Sequence, residues 1–404
     1  MPWRYRSIMD ARMEFVTLVR EGGRSVAEAA RECGVSRQTA HRWLKRYDQL
    51  GPEGLRDRSR APHEIPHKTP EAIEERVLQV RRQYPTWGPR KIRAWLTRRE
   101  PGLAWPAAST MGEILERAGM VVPRRMRRRT PASTTPLSHA SGPNDVWSLD
   151  FKGQFRLGNG RYCYPLTVTD NYSRMLLGCH ALETTRAQDV RGCLELVFTA
   201  HGLPRALRSD NGSPFASHGV LGMSALGAWW MTLGLRHERI AVGHPEQNGR
   251  HERMHLTLKQ ETTRPPAHTL GAQQERFDAF RTYFNEQRPH EALGMQTPAS
   301  VHLPSTRPYR EAEPYDYSRF DDVRVVAPSG TIRFLRSTVG VTAALAGHEV
   351  GLIELDDDVW LVHFCGQDLG LFELGESAIS PLESHHREAA PACGGCLPTL
   401  EEQV

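Results

Sequence analysis

The sequence predicts a multidomain α/β protein: a mixed sheet with helices on both faces, preceded by all-α helix-turn-helix modules and followed by a small all-β barrel. Three observations carry that prediction. Between Val146 and Thr262, strand-like and helix-like runs follow one another in the order βββ-α-β-α-β-α. Ahead of them lie short helical stretches punctuated by Gly, Ser and Pro. After Asp322 come short β-like runs broken by Gly and Asp. At 404 residues the chain is too long for one ordinary core, so several domains are expected.

The first domain is expected over residues 1–50. A helix from Ile8 to Arg20 carries the apolar residues Phe15, Leu18 and Val19. After Gly22-Gly23, Ser25 is placed to cap a second helix through about Glu32. Cys33-Gly34-Val35 then makes a tight turn with Val35 packed inside, and Ser36 caps a third helix through about Tyr47. This is helix-turn-helix grammar, in which the second helix of the motif lies in the major groove. That helix presents Arg37, Gln38, His41 and Arg42. Arg suits guanine and Gln suits adenine, while the other cations suit phosphates.

A helical bundle with a polar face would share this pattern, and charge tilts the reading. Residues 1–130 hold 28 Lys and Arg against 15 Asp and Glu, whereas the remainder carries a net −8 within an overall +5. A basic front end attached to a mildly acidic remainder points to nucleic acid as the partner.

Residues 51–69, rich in Gly, Pro and Arg, read as a linker. A second helix-turn-helix-like domain is expected over 70–122. Its helices run from Pro70 to Gln83, from Gly88-Pro89 to Arg99, and from Trp105-Pro106 to Arg117. A basic linker over 123–143 follows. It holds Arg124, Arg125, Arg127, Arg128 and Arg129, a phosphate-seeking run, and then a Ser/Thr/Pro-rich tether.

The α/β domain with its helical tail is expected over 144–300. Strands are predicted at Val146–Phe155, Tyr162–Thr169 and Met175–Ala181. Ala187–His201 is an amphipathic helix, with Val190, Cys193, Leu194, Val197 and Phe198 on one face. Arg205–Ser209 and Leu235–Val242 are further strands, separated by a helix over Ser224–Thr232, and a last helix runs from Asn248 to about Thr262. A three-strand meander followed by crossovers makes a mixed sheet. The barrel is expected over 301–380, from Val323–Val326, Thr331–Leu335, Gly351–Glu354 and Trp360–Phe364, with a flexible tail over 381–404.

Seven cysteines, odd in number and mostly scattered, read as reduced thiols. Cys393 and Cys396 form one CxxC near His385 and His386, a weak zinc pattern set against a plain Pro/Gly/Ala tail. The N-terminus lacks the apolar core of a signal peptide, and no run of about 18 apolar residues exists to span a membrane. A cytoplasmic protein is expected.

Three carboxylates draw attention. Asp150 lies within the first strand among apolar neighbours, where a charge must be paired or metal-bound. Asp210 ends the fourth strand, and Glu252 sits early on the last helix. Strands one and four are neighbours in such a sheet, so the two aspartates can converge. Hard oxygen ligands of this kind suit Mg²⁺, and two such ions can drive an in-line phosphoryl displacement. Glu252, His255 and Lys259 are spaced to share a helix face, with His255 and Lys259 expected to contact DNA and Lys259 able to grip a phosphate, while Met254 and Leu258 point toward a core. Taken singly, Asp210 reads equally as the start of an Asp-Asn-Gly turn and Glu252 as a helix-surface residue. Jointly, in the right elements and order, they read as a metal site.

These residues also carry a resemblance. Trp147-Ser-Leu-Asp150, Ser209-Asp-Asn-Gly212 and His244-Pro-Glu-Gln-Asn-Gly-Arg-His-Glu252-Arg resemble the catalytic core of retroviral integrases and of bacterial insertion-sequence transposases, the DDE family. Tyr283-Phe-Asn-Glu-Gln-Arg-Pro-His-Glu-Ala-Leu293, Thr297-Pro-Ala299 and the N-terminal helix-turn-helix followed by Gly51-Pro-Glu-Gly are similar to the bacterial group. The resemblance implies an RNase H-like fold and two Mg²⁺ or Mn²⁺ ions held by Asp150, Asp210 and Glu252. It further implies 3′-end cleavage at terminal inverted repeats, joining to target DNA, and a homo-oligomer on paired double-stranded DNA ends. Lys259 matches a position that contacts element-end DNA, and Gln247 and Asn248 fall in a mobile active-site loop. In a bacterium such a protein would be nucleoid-associated when bound.

Asp210 and Glu252 enclose 41 residues, more than is common in the family. Glu246 fits the shorter count, whereas the surrounding Gly-x-x-Glu-Arg pattern favours Glu252, with an insertion around Gly219–Gly227. The alternative function is a transposase-derived, sequence-specific DNA-binding regulator with an idle site. A non-specific metal nuclease would not need two helix-turn-helix modules.

Overall fold

The structure, a computed structural model, describes residues 7–57, 68–121, 137–217, 221–240 and 249–382. The chain divides into two compact units, Met1–Thr69 and Pro70–Val404.

The first unit holds α1 (Ile8–Arg20), α2 (Val26–Glu32) and α3 (Arg37–Leu50). Each starts behind a serine. The side-chain oxygens of Ser7, Ser25 and Ser36 accept the N–H of Asp10, Glu28 and Thr39, satisfying donors that a helix start leaves open. Between α2 and α3, Gly34 takes φ +65°. The Gly34 and Val35 N–H groups donate back to Arg31 and Ala30 carbonyls, closing α2 in the left-handed cap that glycine adopts without strain. The core is Phe15, Val16, Ala29, Ala30, Ala40, Trp43, Leu44 and Leu55. Val35 corrects the expectation: it stays 37% exposed. The cap fixes the backbone there, and Cys33 packs against the core in its place.

The second unit opens with α4 (Glu71–Gln83), α5 (Pro89–Arg99) and α6 (Ala108–Arg117). Val77, Val80, Trp87, Ile92, Trp95, Leu96, Met111, Ile114 and Leu115 form their core. The α/β part follows, with β1 (Val146–Phe151), β2 (Phe155–Arg156), β3 (Tyr162–Asp170), β4 (Leu176–Leu182), α7 (Ala187–His201), β5 (Ala206–Ser209), α8 (Ala225–Thr232), β6 (Arg236–Arg239), α9 (Gly249–Thr262), α10 (Leu270–Glu286) and α11 (Pro298–Val301). The strands run β4-β3-β1-β5-β6, with the small β2 also on β3. The meander is antiparallel and the crossovers are parallel. The single strand expected over Val146–Phe155 is two, because Gly153 turns the chain at φ +81°.

Strand alternation sorts the two faces. Trp147, Leu149, Leu166, Val168 and Leu207 point into a core with α7 and α8. The intervening residues face α9 and α10, where Met254, Leu258, Phe277, Phe280 and Phe284 pack. α8 is apolar nearly all round, as a helix between two cores must be. Leu226, Trp229 and Trp230 join the sheet core, while Ala228 and Met231 join the core of the C-terminal strands.

Those strands are β7 (Asp322–Val325), β8 (Thr331–Phe334), β9 (Ser337–Gly340), β10 (Glu349–Asp356), β11 (Val359–Phe364), β12 (Gln367–Glu373) and β13 (Ser380–Pro381). They do not close into the expected barrel. One open sheet runs β13-β12-β11-β10-β7, and β8-β9 stands as a separate hairpin, touching the region of β13 through a single bridge between Gly340 and Ala378. Closure needs a ladder on both edges of the sheet, and β13 is only two residues long. Cys33, Cys163, Cys179, Cys193 and Cys365 are not joined in disulfides. Among the described residues no helix is long and apolar enough to cross a membrane.

Candidate active site

β1 and β5 pair in parallel, with Ser148 opposite Arg208. Asp150 and Asp210 each lie two residues further on, so the register brings them side by side and alternation turns both to the face that α9 covers. Asp210 also keeps the turn role its Asp-Asn-Gly sequence suggests, since its Oδ1 accepts the Gly212 N–H at 3.1 Å. A Cβ on Gly212 would stand 3.2 Å from the other carboxylate oxygen, so glycine keeps this carboxylate uncrowded. One strand further, Arg208 and Glu238 form a buried ion pair at 2.9 Å that ties β5 to β6.

Asp150 is the most perturbed of the carboxylates. Burial pushes its pKa up to about 7, the Asp210 carboxylate adds to the shift, and Glu252 contributes in the same sense against the Phe151 N–H and Lys152. An aspartate whose proton affinity is raised by two neighbouring carboxylates belongs to a donor set suited to a hard dication, which relieves the repulsion a proton would otherwise relieve. The residues present therefore fit a divalent metal.

Behind Asp150 stands a layer the sequence reading did not find. Thr167, opposite Asp150 in the β1–β3 ladder, donates from Oγ1 to the Asp150 carbonyl at 3.1 Å. The Nε2 atoms of His251 and His255 reach the same hydroxyl at 2.6 and 2.7 Å, and Thr169 Oγ1 meets His251 Nδ1 at 3.0 Å. His255 Nδ1 lies 3.8 Å from Asp150 Oδ2. Asp150, His251 and His255 thus form a metal-competent group whose ligand atoms lie within 4.8 Å of one another. The overlooked signal was the His251/His255 pair at i, i+4, on the same face of α9, opposite alternating threonines on β3.

The other candidate residues divide. Glu252 and Lys259 are exposed on α9, whereas His255 is 5% exposed. That corrects its assignment to DNA contact: a position 60° round the helix from Glu252 faces the sheet rather than solvent. Arg37, Gln38, His41 and Arg42 are all exposed on α3, while Trp43 turns inward beneath the Arg12 and Arg46 guanidinium groups at 3.8 and 4.4 Å. Arg124, Arg125, Arg127, Arg128, Arg129, Glu246, Gln247, Asn248, Cys393 and Cys396 lie outside the described residues.

Burial holds several imidazoles of this unit neutral, with His237 at about 4 and His251 and His290 at about 3. Their folded pKa values lie below the unfolded one, so their stability contribution is whole above about pH 6.5 and is lost as pH falls. Each costs about 2 kcal/mol by pH 5. Asp150, with a raised pKa, acts in the opposite sense and is outnumbered. Calorimetry is expected to show the Tm of this unit falling steeply from pH 7 to pH 5; a flat profile would contradict neutral burial.

An integrase core domain family matches residues 140–245, and a second integrase core domain family matches residues 233–298. A helix-turn-helix domain matches residues 11–63, and a homeodomain-like domain matches residues 39–115. The insertion element IS476 uncharacterized 39.2 kDa protein of Xanthomonas euvesicatoria is 27% identical over 243 residues, 58% of this chain and 66% of that protein. The insertion element IS407 uncharacterized 31.7 kDa protein of Burkholderia multivorans is 28% identical over 231 residues, 57% of this chain and 80% of that protein. The HTLV-2 integrase catalytic core domain, solved in complex with magnesium, aligns at 14% identity and TM-score 0.33, covering 41% of this chain and 100% of that one. The chain thus carries integrase core domain matches behind helix-turn-helix and homeodomain-like matches, and is similar to proteins encoded by insertion elements.

Proposed function

We propose that this protein is a DNA transposase that binds the terminal inverted repeats of its element, cleaves their 3′ ends and joins them to target DNA. The observation that carries the reading is the β1–β5 register, which sets Asp150 beside Asp210 with Glu252 near enough to act on Asp150's proton affinity. Asp150, Asp210 and Glu252 are the catalytic carboxylates and would hold two Mg²⁺ or Mn²⁺ ions. Bound there, the ions supply activation of the attacking oxygen and stabilisation of the leaving one. The protein's part is positioning. β1 and β5 hold two carboxylates at fixed separation, α9 carries the third on its first turn, and Lys259 lies two turns on, exposed for a backbone phosphate.

Residues 1–50 act as the first DNA-reading domain and 70–122 as the second, with the arginines of 124–129 clamping phosphates between them and the catalytic domain over 144–300. The open C-terminal sheets over 301–380 act as an accessory domain, packed on α8 through Ala228 and Met231. The active form is a homo-oligomer on paired ends, working in the bacterial cytoplasm on nucleoid DNA.

A labelled-oligonucleotide assay on the element's own ends tests the reading: metal-dependent 3′ cleavage and strand transfer are expected, and their absence with cognate ends and either metal would defeat it. If Glu252→Gln retains transfer while Glu246→Gln loses it, Glu246 takes the third position. In the reading helix, Arg42→Ala is expected to weaken binding to the proper end by about 1–3 kcal/mol more than to random duplex. Equal losses on both, measured by fluorescence anisotropy, would reduce Arg42 to a phosphate contact.

A further inference from the structure

We propose that His255 is itself a ligand of the divalent ion at Asp150, so that this site takes a nitrogen donor and favours Mn²⁺ over Mg²⁺. The inference rests on the transposase reading and deepens it.

The hydrogen bonds around Thr167 decide which nitrogen is available. A hydroxyl has one hydrogen and two lone pairs. Thr167 gives its hydrogen to the Asp150 carbonyl, an atom that can only accept, at 3.1 Å. Both imidazole Nε2 atoms on the same oxygen, at 2.6 and 2.7 Å, must then donate to it. His251 and His255 are therefore Nε2–H tautomers with bare Nδ1 atoms. His251 spends that second nitrogen as an acceptor for the Thr169 hydroxyl at 3.0 Å. It is fully engaged and drops out as a ligand. His255 does not spend it so: its Nδ1 is turned to Asp150 Oδ2 at 3.8 Å.

Once Asp150 is ionised, its Oδ2 and the His255 Nδ1 are electron-rich atoms facing each other across 3.8 Å, and a cation between them turns their repulsion into attraction. The surroundings match those of a ligating histidine, whose remote N–H is fixed by an oxygen acceptor that sets tautomer and ring orientation. Here that acceptor is Thr167, fully buried and also bonded to the backbone of Asp150. His255 itself is 5% exposed and fixed by packing. Mg²⁺ favours oxygen and dehydrates reluctantly, whereas the transition ions accept imidazole readily.

The test uses full-length protein and metal alone. Electron spin-echo modulation of bound Mn²⁺ is expected to show a directly coordinated nitrogen in the wild type and none in His255→Asn. By calorimetric titration, His255→Asn should lose about tenfold or more in Mn²⁺ affinity but less than about threefold for Mg²⁺. Wild-type Mn²⁺ without coordinated nitrogen, or equal losses for both metals, overturns the proposal and leaves His255 a positioning residue. If His255→Asn fails to fold, the wild-type spectrum alone decides. Asp150→Asn separates the two readings: loss of both metals there upholds the carboxylate site whichever way His255 falls, while a wild type that binds neither metal removes both.

Discussion

Strand transfer is expected to fall by at least about a thousandfold in Asp150→Asn, and likewise in Asp210→Asn and Glu252→Gln, the several kcal/mol that metal-assisted charge stabilisation supplies. Each replacement keeps the side chain's shape and removes its charge. Binding of element ends, which rests on exposed cations of other elements, should change little. Asp150 allows a sharper statement, because its carboxylate is disfavoured in the metal-free fold. A pKa raised from 3.8 to about 7 means that ionised Asp150 costs on the order of 4 kcal/mol at pH 8. The sign follows from linkage: the folded state binds the extra proton, so stability rises as pH falls through 7 and is lost above it. Asn carries no such charge. Metal-free Asp150→Asn is therefore expected to melt above the wild type at pH 8 and to lose the stabilisation that Mg²⁺ gives. A lower metal-free Tm, or an unchanged response to Mg²⁺, would show that Asp150 is a structural carboxylate.

The second large effect concerns how α4–α6 are held to the α/β part of the unit. Trp87 is wholly buried, stacked on Tyr84 at 4.1 Å and 6.1 Å from the Tyr283 ring of α10. Its Nε1 donates to the Tyr283 hydroxyl at 2.6 Å. Around it, Tyr84 donates to Gln287 at 2.9 Å, Thr86 to Glu261 at 2.7 Å, and Arg288 pairs with Glu261 at 3.3 Å. Glu261 belongs to α9, the helix that carries Glu252, so the joint reaches the active-site helix directly. Trp87→Ala is expected to cost about 3–5 kcal/mol through lost burial and an unfilled cavity. Tyr84→Phe, which loses the hydroxyl's bond to Gln287 and the exposed one it accepts from Gln83, should cost about 1–2 kcal/mol. Denaturant melts measure both. Limited proteolysis should cut the Trp87→Ala protein first within residues 70–121, and a cleavage pattern identical to wild type would show that the aromatic joint carries little of the docking.

Local pattern reached far along this chain. α1 and α7 begin and end where periodicity and caps place them, because Ser7, Gly202 and the apolar spacing act within a few residues of each end. The three carboxylates were legible for a similar reason. A charge in an apolar strand and an Asp-Asn-Gly turn are local anomalies, and the parallel β1–β5 pairing follows from the order of elements. Glu252 was legible chiefly through its motif, since an exposed glutamate on a helix has no distinctive pattern of its own.

What sequence alone determined here is thus the elements, their order, and the two aspartates that the sheet brings together. Tertiary structure decided the rest. It turned His255 away from solvent and onto Thr167, left the C-terminal sheets open, put Val35 outside, and seated Trp87 against a tyrosine nearly two hundred residues later. The reason is range: a periodicity or a cap is set by neighbours a few positions away. The sheet face a border residue meets, and the ring that fills its gap, depend on packing between segments far apart in the chain.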